Sequence, residues 1–121
     1  MSDRNSFSAT TDGQLGNVRL YLTGTRAVTK AAGESSAEED IDLPPGRVFV
    51  FDVYIEVDND GKTNTTPWYT INSSGYLLSI WLPQISDNML TLSHTAMHSD
   101  DIAREITTIF KYVIYEIELA T

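Results

Sequence analysis

The sequence predicts an all-β domain, an antiparallel β-sandwich or jelly roll, and three observations predict it. Apolar residues recur at every second position through several segments. Those segments are separated by turns rich in Gly, Pro, Asn and Asp. Strands do not alternate with long helical patterns, which argues for antiparallel rather than parallel pairing.

In Val18, Leu20 and Leu22 the period of two marks a strand over 17–23, ended by Gly24. Residues 30–46, KAAGESSAEEDIDLPPG, read as a long, acidic, irregular surface segment, and Leu43-Pro44-Pro45-Gly46 as a stiff turn. The clearest element is 47–57. Phe49, Phe51, Val53, Ile55 and Val57 form one row, and Val48, Val50, Asp52, Tyr54 and Glu56 the other. The first row belongs in the core, and the second grades from apolar to polar. Asn59-Asp60-Gly61 supplies a turn.

Trp68, Tyr69 and Ile71 suggest a short strand, and Asn72-Ser73-Ser74-Gly75 a turn. Tyr76 to Leu82 reads as a strand buried largely on both faces, and Met89 to Leu92 as a shorter one. Residues 99–106 read as a loop or one helical turn, with Ser99 as its cap and Asp100 and Asp101 in the first turn. The competing reading starts a strand near Ala103. The last strand covers 106–119. One side carries Ile109, Val113, Tyr115, Ile117 and Leu119, and the other Phe110, Tyr112, Ile114, Glu116 and Glu118.

A chain of 121 residues implies one domain, 17–121, preceded by a polar arm, 1–16. Eight basic against seventeen acidic residues give a net charge of −9. Nucleic-acid binders neutralise phosphate with Lys and Arg, so this balance argues against a nucleic-acid partner and against anionic membranes. With no cysteine, disulfides, thiolate metal sites and Cys nucleophiles are excluded. No apolar run is long enough to span a bilayer, and the first residues lack the apolar segment of a secretory signal.

Catalytic signatures are missing. There is no G-x-S-x-G elbow, P-loop or dinucleotide fingerprint, so the expectation is a protein that is not an enzyme and takes no cofactor. His94 and His98, four residues apart, are weak candidates for a metal, aided by Asp100 or Asp101. Glu56, Asp58 and Asp60 start a calcium-loop pattern that breaks at Pro67, where a bidentate Glu is needed. The sequons at Asn64 and Asn72 are discounted for want of a secretory signal. Trp68, Tyr69, Tyr76 and Trp81 are the candidate binding residues. Aromatic side chains are ordinary strand residues, but exposed ones beside polar loops serve as interface anchors.

The runs W-Y-T-I-N-S-S-G-Y-L-L-S-I-W-L, N-M-L-T-L-S and I-T-T-I-F-K-Y-V-I-Y-E-I, across 68–118, resemble the C-terminal domains of tailed-phage fibres and related virion proteins. The matching residues are Gly75, Tyr76, Leu90, Thr91, Leu92, Lys111, Tyr112, Val113, Ile114 and Tyr115. The resemblance implies a β-sandwich that trimerises in a virion, after synthesis in the host cytoplasm, and touches a host receptor or another virion protein. Tyr54, Tyr112 and Tyr115 are then the candidates for the contact between copies. Where a fibre has a long stalk, this chain has a short polar arm, which raises the alternative of a capsid decoration protein anchored by residues 1–16. A small acidic inhibitor ranks third, because the acidic residues are scattered or gathered in one loop rather than spaced along a strand.

Overall fold

The computed structural model describes residues 6–8, 15–58 and 68–119. Among them are β1 (Ser6–Ser8), β2 (Leu15–Lys30), β3 (Ser36–Asp42), β4 (Val48–Asp58), β5 (Tyr69–Ile71), β6 (Leu77–Ser86), β7 (Met89–Ala96), the helical turn α1 (Ser99–Ile102) and β8 (Ile106–Leu119). They form two four-stranded sheets, ordered β1-β2-β8-β4 and β3-β7-β6-β5, and every pairing is antiparallel. The protein is an all-β antiparallel sandwich.

β4 explains why the first sheet faces as it does. Val53, Ile55 and Val57 are buried, as their unbroken alternation requires. β8 is apolar on both faces, so its own pattern does not choose. Its register does: Phe110 lies opposite Ile55, Thr108 opposite Val57 and Ile114 opposite Phe51. The even-numbered residues of β8 therefore turn inward, and Ile106, Phe110 and Ile114 are fully buried. From the second sheet Ile41, Trp81, Leu90 and Leu92 close on them. Each such side chain contributes roughly 1.5–3 kcal/mol by leaving water.

Three expected elements differ. Gly24 does not end β2, which continues to Lys30. Gly24 lies opposite Tyr112, whose ring covers the place a Cβ would occupy. The acidic segment is not irregular throughout: Ser36–Asp42 pairs with β7 as an edge strand. Its solvent row of Glu38, Asp40 and Asp42 hid the strand, because acidic residues are poor strand formers. Its acidic side chains are therefore spaced along a strand rather than lying in a loop. β6 is buried on one face only, with Ser79 and Trp81 inward and Leu82 exposed.

Turn chemistry matches the local sequence. Asp87 and Asn88 both have positive φ, 50° and 61°, as the two-residue hairpin between β6 and β7 requires. Asn72 Oδ1 accepts from the backbone N–H groups of Ser74 and Tyr76, fixing the β5–β6 turn. α1 is the single helical turn expected at 99–106, but its cap is His98 rather than Ser99. The Nδ1 of His98 accepts from the Asp100 N–H. Asp60 of the broken calcium pattern, the 59–61 turn and the Asn64 sequon lie outside the described residues.

Candidate functional site

Inside the sandwich lies a polar cluster that no sequence motif announces. Ser79 on β6, His94 on β7 and Asp101 on α1 are buried, and Lys30 at the end of β2 is fully so. The Ser79 hydroxyl donates to Asp101 Oδ2 at 2.6 Å. Its single hydrogen is thereby used, so His94 Nε2, 3.0 Å away, is the donor to Ser79 Oγ. His94 Nδ1 is left as a buried acceptor without a partner among the described residues. Arg104 donates to Asp101 Oδ1 at 2.7 Å. Burial pushes the Asp101 carboxyl up, but the hydrogen bonds from Ser79 and Arg104 outweigh it and hold the group below its ordinary value. Burial lowers the His94 imidazole to about 4, with Asp101 opposing the shift and Lys30 adding to it.

These three residue types also make catalytic triads, but the order here is different. A nucleophilic Ser needs His as its base, with the carboxylate behind the His. In this protein Ser79 sits in the middle and its proton points to Asp101, while its side chain is 0% exposed. The cluster is therefore a structural tie. The Lys30 ammonium lies beside it, its three hydrogens shared among the carbonyls of Ala31 (2.9 Å), Glu34 (3.0 Å), Ile102 (3.2 Å) and Arg104 (2.6 Å). One side chain so pins the β2–β3 turn to the segment around α1.

The candidate aromatics separate. Trp81 is 4% exposed. It stacks on His94 with centroids 4.9 Å apart and donates to Thr108 Oγ1 across the sandwich at 2.8 Å. As a core residue joining the two sheets, it is corrected out of the surface set. Trp68, Tyr69 and Tyr76 are exposed, Tyr76 at 63%. Tyr69 pairs with Ile80 on the outer face of the second sheet, whereas Tyr76 lies in the β5–β6 turn beside His98. They do not form one site.

The tyrosines proposed to join copies also divide. Tyr112 points into the core, 8% exposed, and is corrected: its parity is that of Phe110 and Ile114. Tyr54 and Tyr115 lie on the outer face of the first sheet. That face is more apolar than the sequence suggested. Val18, Ile117 and Val48 stand in one cross-strand row, and Leu20, Tyr115 and Val50 in the next. Val48 and Val50 are 47% and 43% exposed. Lys111 closes the polar end, 3.2 Å from Glu56 and over the Tyr54 ring.

The histidines do not meet at a metal. His94 is interior and His98 caps α1. Among the described residues no group of three or more His, Cys, Asp or Glu is placed to hold one. No described helix is long and apolar enough to cross a membrane.

Where the margins of the two sheets meet, Phe51, Asp52, Val53, Trp68, Trp81, Leu82 and Pro83 line a cleft of about 370 Å³. No sequence signal marks it, because its walls come from β4, β6 and the residue before β5. No protein-family model, curated protein or solved structure matches this chain.

Proposed function

We propose that the protein is a non-enzymatic assembly and binding module, a structural component of a tailed-phage virion whose copies join through the outer face of the first sheet. The observation that carries this reading is the pair of apolar rows, Val18–Ile117–Val48 and Leu20–Tyr115–Val50, standing across three strands on the solvent side. Val48 and Val50 are exposed and the other four partly so, and contiguous apolar surface open to solvent marks interaction sites. Tyr115 lies on it, and Tyr54 lies on the same face two rows further along, beyond Thr23, Val113 and Asp52. The resemblance of residues 68–118 to phage fibre domains makes three copies the expected number, and closed symmetry is the usual arrangement. Tyr69, with Ile80 and Leu82 on the other outer face, then suits a receptor or a second virion protein.

Light scattering on a sizing column tests this, with the full chain, a chain lacking residues 1–16, and a Val50→Lys, Ile117→Lys variant. Trimers for the first two and a folded monomer for the third are expected. A monomer for the full chain at tens of micromolar overturns the reading. Loss of the oligomer on removing residues 1–16 alone transfers the contact to the arm and favours the capsid-decoration alternative.

A further inference from the structure

A sandwich exposes four strand edges, and native proteins blunt such edges by making them short or charged. Three are blunted here. β1 and β5 have three residues each. β3 presents Glu38, Asp40 and Asp42. The fourth, β4, is longer and less densely charged: eleven residues of which three are acidic, against four of seven in β3, with no Pro and no register break against β8. Among the described residues no backbone hydrogen bond reaches its outward side.

Two further features flank that edge. The aromatic-lined cleft opens directly beside it, with Phe51 and Val53 on one wall and Trp68 and Leu82 on the other. On its solvent side stand the carboxylates of Asp52 and Glu56. Glu56 is already paired with Lys111, whereas Asp52 has no ion pair among the described residues. Strand addition draws affinity from main-chain hydrogen bonds and specificity from pockets that take alternate side chains. This edge supplies both.

We infer that β4 is a docking edge for an extended peptide segment of another protein, one that alternates apolar with Lys or Arg residues. Its backbone extends the first sheet by a strand. Its apolar side chains enter the cleft beside Trp68, and its cationic ones lie along Asp52 and Glu56. Charge selects this occupant over a second copy of β4, which would bring three more acidic residues to the same edge in a chain already at −9. The contact lies on the edge of the first sheet, so it does not depend on the copy–copy contact proposed for that sheet's face.

The test uses the full chain and three synthetic peptides as long as β4: alternating valine and lysine, alternating valine and glutamate, and the valine–lysine composition in blocks. Titration is followed by calorimetry, and hydrogen exchange locates the protected amides. The alternating valine–lysine peptide should bind at least about tenfold tighter than either control and slow exchange in β4. An Asp52→Lys, Glu56→Lys variant should reverse the preference toward glutamate. Trp68→Ala, outside every described strand, should weaken binding while leaving the thermal midpoint in place. Equal binding of the alternating and blocked peptides overturns the inference. So does protection that spares β4, or a charge-reversed variant with unchanged preference.

Discussion

His94 shows what one buried side chain imposes on the protein. An unfolded histidine takes up its proton as pH falls through about 6.5, but the folded one resists to about 4. The folded state thus lacks a proton that the unfolded state holds. Stability is complete above the unfolded value and declines as pH drops between the two. From pH 7 to pH 5 the loss is about 2 kcal/mol, since each pKa unit is worth ~1.4 kcal/mol. Urea titrations at the two pH values measure it, and His94→Gln should remove most of the difference. Lys30 makes the complementary point. In Lys30→Met the ammonium is gone; the carbonyls of Ala31 and Ile102 keep the backbone N–H groups of Glu34 and Gly33, while those of Glu34 and Arg104 lose the ammonium as donor. We expect a loss of about 1–3 kcal/mol by denaturant melts, the usual cost of leaving an acceptor without its donor. The sequence marks His94 only as a weak metal candidate beside His98, and does not mark Lys30 at all. The cluster draws on β2, β6, β7 and α1, and no local spacing links them. One clue existed: His94 continues the row of Leu90 and Leu92, so a strand reading of β7 carried one turn further puts its ring inside.

Among the elements, β4 and β8 were readable for different reasons. Regular alternation between two strong turn signals fixed β4 to within a residue. β8 was found at its full length, but both of its rows are apolar, so only pairing with β4 decides which one is buried. The same ambiguity put Tyr112 on the surface list and, in β6, Trp81. β3 was missed because an edge strand with a solvated acidic row carries little hydrophobic signal. Gly24 reads as a stop in the sequence, whereas its lack of a side chain makes room for the Tyr112 ring on the neighbouring strand. Gly24→Ala sets a methyl group against the Oη and Cζ of Tyr112. Overpacking of this kind costs about 1–3 kcal/mol, and a thermal melt should record a lower midpoint with the strand content unchanged.

For the whole molecule, charge and apolar surface act in opposite directions. A net charge of −9 keeps separate molecules apart, while the outer face of the first sheet favours contact. Salt screens the first effect and leaves the second, with a screening length of roughly 10 Å at 0.1 M. Association through that face should therefore strengthen as salt is raised from 20 to 300 mM, which sedimentation velocity can follow. A complex held by charge pairs would weaken instead. The all-β class was visible in the alternation. The apolar outer face was not, because it is assembled from three strands far apart in the chain.

β8 has one more consequence, and it concerns time. It lies between β2 and β4 in the first sheet, yet comes after both in the chain. Emerging from a ribosome, β2 and β4 have no shared neighbour until residues 106–119 are out. Until then their apolar rows stay open to water and to other chains, the condition in which nascent proteins aggregate. Closure afterwards must bring together segments nearly a chain length apart, which slows folding to roughly the millisecond-to-second range. A chain cut short before β8 would thus separate β4 from the β1–β2 pair, leaving no continuous first sheet.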